Sequence, residues 1–192
     1  MTPKIVIITG HVATGKTTLG IKLAAALQLP FYSKDALKEI LYDTLGWSDR
    51  EWSKKAGASA FRLLDHITTQ ELAAGRSAIV EANFLPQFDS TRFSAWQADY
   101  KAHYLQIRCS ANKEVLIERL KSRSLGDERH PGHNDASDYE EFIPAFQAGD
   151  MGFLDLEGPK ISLDTTDFAK VDFAALLTQL YSFLNSVGAQ HA

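Results

Sequence analysis

Short, mostly apolar runs alternate along this chain with longer segments that carry apolar residues every three or four positions. Residues 4–9 form a β-branched run with the length of a buried strand, and 18–27 follow with Leu19, Leu23, Ala26 and Leu27 at helical spacing. Strands are predicted again at 29–33, 77–82, 102–109 and 160–163. Helices are predicted at 36–45, 60–74, 89–100, 113–122, 138–148 and 172–187, the last burying Phe173, Leu176, Leu177, Leu180 and Leu184. Gly75 stands where a C-cap glycine would, and Asp89-Ser90-Thr91 and Ser110-Ala111-Asn112 stand where N-caps would. Pro86 reads as the end of any extension of the third strand, and 46–58, polar and aromatic, as a link or the start of a helix. Residues 151–159 read as irregular. Strands alternating with helices predict an α/β fold, and 192 residues predict a single domain.

The junction between the first strand and first helix carries the chemistry. Gly10, His11, Val12, Ala13, Thr14, Gly15, Lys16 and Thr17 fit the G-x-x-x-x-G-K-[ST] pattern, and Thr18 continues into the helix. Glycines let backbone N–H groups close on phosphate oxygens, and the helix that follows points the positive end of its dipole at the same anion. Lys16 can reach the β- and γ-phosphates, and the Thr17 hydroxyl can ligate Mg²⁺. The dinucleotide fingerprint G-x-G-x-x-G is absent here.

Three further positions suit the same ligand. Asp35, after the second strand, reads either as a helix N-terminal charge or cap, or as a carboxylate that takes the proton of an acceptor hydroxyl. Glu81, ending the third strand, suits contact with Mg²⁺ through water, or is a partly exposed strand end; Asn83 contacts substrate or makes the turn. Arg119 and Arg123 share one helix face and, with Arg129, border a loop at 124–136 that suits a lid over a triphosphate, or is a solvated charged end. His130 and His133 lie close, but no further Cys or His cluster joins them to make a metal site. His66 stands alone on its helix and reads as structural.

Bulk properties narrow the classes. Net charge is −4, which disfavours a nucleic-acid partner. The single cysteine, Cys109, excludes an intrachain disulfide and suits a reducing compartment. No apolar run reaches membrane-spanning length and the first residues do not begin a signal peptide, so a cytoplasmic protein is expected. No feature sets an oligomeric state.

With the loop, Asp35, Glu81-Ala82-Asn83 and the Arg-rich segment in view, the chain resembles the small phosphate-loop kinases of the AAA-like predicted-kinase group. Relatives of that group include chloramphenicol phosphotransferase, gluconate and shikimate kinases, and the kinase part of polynucleotide kinase. The resemblance spans nearly the whole chain, and is carried by the Walker A loop, by Ser33-Lys34-Asp35 with Leu37-Lys38-Glu39, and by Arg119, Arg123 and Arg129-His130-Pro131-Gly132-His133. It implies a P-loop NTPase α/β/α sandwich with a five-stranded parallel sheet of order 2-3-1-4-5 and a helical lid. It also implies ATP and Mg²⁺ as cofactors, and γ-phosphate transfer to a hydroxyl of a small molecule. Asp35 then matches the acceptor-activating aspartate, and Glu81 and Asn83 the acidic residue and Asn beside it. Arg119 matches a lid-flanking arginine against adenine, Arg123 and Arg129 phosphate-contacting arginines, and Asp164-Thr165-Thr166 the turn at the adenine edge. Glu81 departs from the commoner Asp, and 43–75 matches no characterised acceptor pocket. Transfer to a phosphate or polynucleotide end, or a nucleotide-dependent switch with slow hydrolysis, are the alternatives.

Overall fold

The computed structural model describes residues 2–125, 130–133, 142–147 and 151–186. Five strands form one parallel sheet in the order β2-β3-β1-β4-β5: β1 (Lys4–Gly10), β2 (Phe31–Ser33), β3 (Ala78–Glu81), β4 (His103–Ser110) and β5 (Lys160–Asp164). This is the order that the family resemblance implies. β1 is buried along its whole length because both sheet faces are covered. Ile5 and Ile7 join Leu64, Phe84, Phe93 and Tyr104 on one face, while Val6 and Ile8 join Leu19, Leu23, Leu176 and Leu180 on the other.

Seven helices are described: α1 (Lys16–Leu27), α2 (Lys34–Leu45), α3 (Arg50–Ala73), α4 (Pro86–Tyr100), α5 (Lys113–Leu125), α6 (Ile143–Gln147) and α7 (Phe173–Asn185). Several bounds differ from expectation for local reasons. α2 starts at Lys34 because Ser33 is its N-cap, its Oγ accepting from the Ala36 N–H at 3.4 Å. α3 is one helix from residue 50, capped by Asp49 through the Trp52 N–H at 2.9 Å, so of the two readings of 46–58, a link or the start of a helix, the second holds from residue 50. Its early buried face is Ser53, Ala56 and Ala60, too small to register as an apolar stripe.

Pro86 opens α4 at the first helical position, where its missing N–H costs nothing, so it begins an element rather than ending one. Asp89 is accordingly not a cap. It lies inside the first turn, buried, and accepts the Leu85 N–H at 2.6 Å. Gly75 follows α3 at φ 67°, as expected of a glycine past a helix end. In α7 the buried set is Leu176, Leu180 and Phe183, while Phe173, Leu177 and Leu184 are only half-buried. Of the helix expected at 138–148, only α6 falls within the described residues, and of the expected lid at 124–136 only residues 124, 125 and 130–133.

Register sets up the site. Ser33 pairs with Glu81, and Glu81 with Ile8, so the carboxyl ends of β2, β3 and β1 finish side by side. That edge is where open parallel sheets hold ligands.

Candidate active site

The loop between β1 and α1 is shaped by backbone that few residues tolerate. Gly10 has φ 141°, and a Cβ there would lie 2.2 Å from the Cys109 carbonyl oxygen. Gly15 has φ 76° and caps α1 with no side-chain bond, and the first turn of α1 carries no acidic residue. The helix N-terminus is thus left to an external anion. The Thr14 hydroxyl donates to the His11 carbonyl at 2.8 Å, and the Lys16 ammonium donates to the same carbonyl at 2.7 Å. Burial pulls the Lys16 ammonium below its ordinary pKa, an effect that the charges of Glu81 and Asp35 oppose and that of Arg123 reinforces.

Glu81 joins three elements. Its Oε2 accepts from the Thr17 hydroxyl at 3.2 Å and from the Ser33 hydroxyl at 2.6 Å, and the residue is buried. Hydroxyl and carboxylate oxygens beside a phosphate loop are the hard donors that Mg²⁺ takes together with nucleotide phosphates and water. Thr17 and Glu81 therefore fit that ion. Among the described residues, no three His, Cys, Asp or Glu side chains gather into a metal cage.

Asp35 lies in the first turn of α2, and with Ser33 as the cap its carboxylate is not the capping group. It pairs with the Lys34 ammonium at 2.8 Å and, like Lys16, lines a cavity of about 340 Å³. His11, Val12, Ala13, Gly15 and Thr17 line the floor of the same cavity; Asn83, Glu81 and Arg123 also line it. Gly10 and Thr14 stand behind the loop, buried, and Thr18 is exposed beyond it; none of the three is among the lining residues.

Arg119 does not line the cavity. Its guanidinium donates to the carbonyls of Ala13 at 3.3 Å, Thr165 at 2.7 Å and Thr166 at 3.2 Å, tying the phosphate loop to the turn after β5. The buried Thr165 hydroxyl shares its proton between the Thr14 and Ser110 carbonyls, 2.8 Å from each. Arg129 lies outside the described residues.

Sequence reasoning missed five groups at this site. Ser33 orients Glu81, and Lys34, Lys38, Arg50 and His133 line the cavity. Of the span 43–75, considered for the acceptor, Arg50 alone is among the described lining residues. Helical spacing could have found Lys38, which falls three residues after Asp35. His133 had no local signal. It is buried, with Nε2 2.8 Å from Glu39 Oε1, while His130 stacks on Tyr42 with Nε2 3.3 Å from Asp43. The two histidines thus anchor the 130–133 turn on α2. Gly132 fits only without a Cβ, which would approach Tyr42 and Trp47 to 2.9 Å. His66 is exposed on α3. Among the described residues, no helix is long and apolar enough to cross a membrane.

The model of the AAA domain family AAA_33 matches residues 5–141. The chain belongs to that family. This AAA_33 protein is 41% identical to a candidate kinase from Chloroflexus aurantiacus J-10-fl, with a TM-score of 0.87 over 95% of this chain and 98% of that one. It is 30% identical over 116 residues to a shikimate kinase of Synechococcus sp. (strain JA-3-3Ab), a match covering 60% of this chain and 57% of the relative. The APS kinase of Mycobacterium tuberculosis, solved with AMPPNP and APS, shares the fold at 17% identity and a TM-score of 0.56, over 96% of this chain and 99% of that one. By family and fold, this AAA_33 chain groups with the small P-loop kinases.

Proposed function

We propose that this protein transfers the γ-phosphoryl group of ATP to a hydroxyl of a small molecule, with Mg²⁺. The observation that carries the reading is that Asp35 and Lys16 line one cavity above the phosphate loop. The loop amides and Lys16 hold the phosphates, and Thr17 with Glu81 behind it holds Mg²⁺, which when bound neutralises charge on the β- and γ-phosphates. The acceptor oxygen forms a bond to the γ-phosphorus as the bond from that phosphorus to the β,γ-bridging oxygen breaks. The electron pair of the broken bond leaves on ADP, and the acceptor proton passes to Asp35. Arg123, which lines the cavity, balances charge on the transferring group, and Arg129 is assigned the same role from its sequence position. Asn83, which lines the cavity, contacts the acceptor in this reading. Arg119 and Thr165 shape the nucleotide end through the loop carbonyls. Residues 1–192 act as one domain, with the lid at 124–136, in the cytoplasm.

The test is ATP turnover against a panel of hydroxylated metabolites, with phosphorylated product read by mass. One acceptor should raise turnover well above basal. Lys16→Ala should abolish this, and Asp35→Asn should lower kcat by about 10²- to 10⁴-fold. Full transfer by Asp35→Asn would remove the base assignment, and nucleotide binding with no acceptor response across the panel would remove the kinase reading.

A further inference from the structure

The phosphate loop is braced from outside the strand and helix that it joins. The His11 carbonyl accepts the Thr14 N–H at 3.4 Å and the Thr14 hydroxyl at 2.8 Å, so residues 11–14 close a tight turn. Ala13, third in that turn, has φ 64°, a left-handed backbone that turn chemistry ordinarily gives to glycine. Its methyl has somewhere to go. Ala13 is 3% exposed and clusters with Leu116 and Leu120 of α5 and with Phe146 of α6. Val12 packs against the same cluster, and the Phe146 and His11 rings meet edge to face with centroids 5.5 Å apart. From α5, Arg119 also holds the Ala13 carbonyl at 3.3 Å.

This cluster stands apart from the two apolar layers that cover the sheet, and it contains no strand residue. What it immobilises is the loop. Gly10 and Gly15 at either end leave an unbraced loop many conformations, and a loop ordered only by its ligand weakens binding by the cost of that ordering. The apparent Kd equals the intrinsic one divided by the fraction of molecules already in the binding shape. Contacts on three successive residues, His11, Val12 and Ala13, keep that fraction near one.

We propose that Phe146 is a positioning residue for the nucleotide: with Leu116 and Leu120 it braces the turn of the phosphate loop, so that the loop meets the phosphates already in shape. The inference rests on the nucleotide-binding part of the reading above. It gives α6, which follows the expected lid in sequence, a part in binding phosphates. Phe142, next to α6, joins the two regions, since it packs against the cluster and also lines the cavity.

The experiment measures Kd by calorimetry, well below the unfolding midpoint, for two ligands: the ATP analogue AMPPNP with Mg²⁺, and inorganic tripolyphosphate with Mg²⁺. Phe146→Ala should raise both by about 10- to 100-fold, the factor by which the competent fraction falls. Phe146→Leu restores apolar volume without the ring and should recover part of the loss. Trp96→Leu, in the core layer on the other side of the sheet, should lower the midpoint and leave both Kd values unchanged. Should Phe146→Ala fail to fold, Leu116→Ala and Phe146→Leu carry the test.

Unchanged Kd values in the Phe146 and Leu116 variants overturn the inference. So does a loss confined to AMPPNP, which would place the effect at the base end and not at the phosphates. Kd values that follow the midpoint in every variant, Trp96→Leu included, show a general effect of stability and overturn it as well. Wild-type protein that binds neither ligand removes the nucleotide reading, and this inference with it.

Discussion

The Thr17 hydroxyl donates to Glu81 Oε2 across 3.2 Å, joining the first turn of α1 to the end of β3. Sixty-four residues separate the partners in sequence, and the pairing of β1 with β3 brings them together. Ser33 reaches the same oxygen from β2, so a single carboxylate oxygen reports the relative position of two strands and a helix.

If this hydroxyl and carboxylate hold Mg²⁺, Glu81→Gln should raise the Mg²⁺ concentration for half-maximal nucleotide binding or turnover by about 10- to 100-fold. Thr17→Ala should act in the same direction. Ser33→Ala should have a smaller effect, because it orients the carboxylate without being placed at the metal. Titrations of Mg²⁺ at fixed ATP read all three, and an unchanged midpoint in Glu81→Gln would remove Glu81 from the site.

The phosphate loop offers a test of geometry that is independent of chemistry. Gly10 and Gly46 both have positive φ, at 141° and 79°, but a Cβ at Gly10 would lie 2.2 Å from the Cys109 carbonyl whereas one at Gly46 would meet nothing within 4 Å. Gly46→Ala should cost about 1–3 kcal/mol, the strain of its positive φ with an extended ψ of 177°. Gly10→Ala should cost at least about 2 kcal/mol more, because backbone must move. Urea unfolding of both variants measures the difference, and equal losses would mean that the contact behind Gly10 gives way freely.

These features differ in how far the sequence exposes them. The phosphate loop, β1 and Gly75 were legible because each depends on neighbours within a few residues. The sheet order came from the family resemblance, since spacing alone does not order strands. The first half of α3 was hidden because Ser53, Ala56 and Ala60 pack as helix residues while scoring as polar or small. Pro86 was misjudged because the same residue suits a strand stop and a helix start, and the choice depends on where Leu85 sits. Arg50 and His133 were not legible as site residues, and Lys38 only through its helical spacing from Asp35. Each reaches the cavity only because α2, α3 and the 130–133 turn pack together, a long-range result.

A carboxylate far from the cavity sets part of the acid sensitivity. Glu71, on the last turns of α3, accepts from Arg76 Nε at 2.6 Å and from the Tyr32 hydroxyl at 2.9 Å. The Arg76 guanidinium, more than the opposing burial, holds the Glu71 carboxyl below its ordinary value of 4.5. A depressed folded pKa contributes stability that is fully present above the unfolded value and is lost as pH falls through the folded one. Glu71→Gln should therefore be less stable at pH 7, by a small margin because Arg76 is largely solvated. The gap between wild type and variant should narrow below pH 4.5. A gap constant from pH 7 to pH 3 would show that the ion pair contributes nothing.

Cys109 gives the last prediction. It is 1% exposed on β4, and its carbonyl closes on Gly10. Burial pushes its thiol up to about 12, against the pull of the Lys16 charge and with a small addition from Glu81. At pH 8 the thiolate fraction in the folded protein is then about one in ten thousand, and the thiolate is the reactive form. A water-soluble disulfide reagent should therefore leave the native protein unlabelled over many minutes and react at once in concentrated urea. Because the sulfur belongs to the core layer shared with Leu19 and Leu23 of α1 and Leu176 and Leu180 of α7, labelling in intermediate urea should follow global unfolding, and a nucleotide that binds the folded loop should slow it further. Stoichiometric labelling of the native protein within a minute would show that the layer between the sheet and α1 and α7 opens locally.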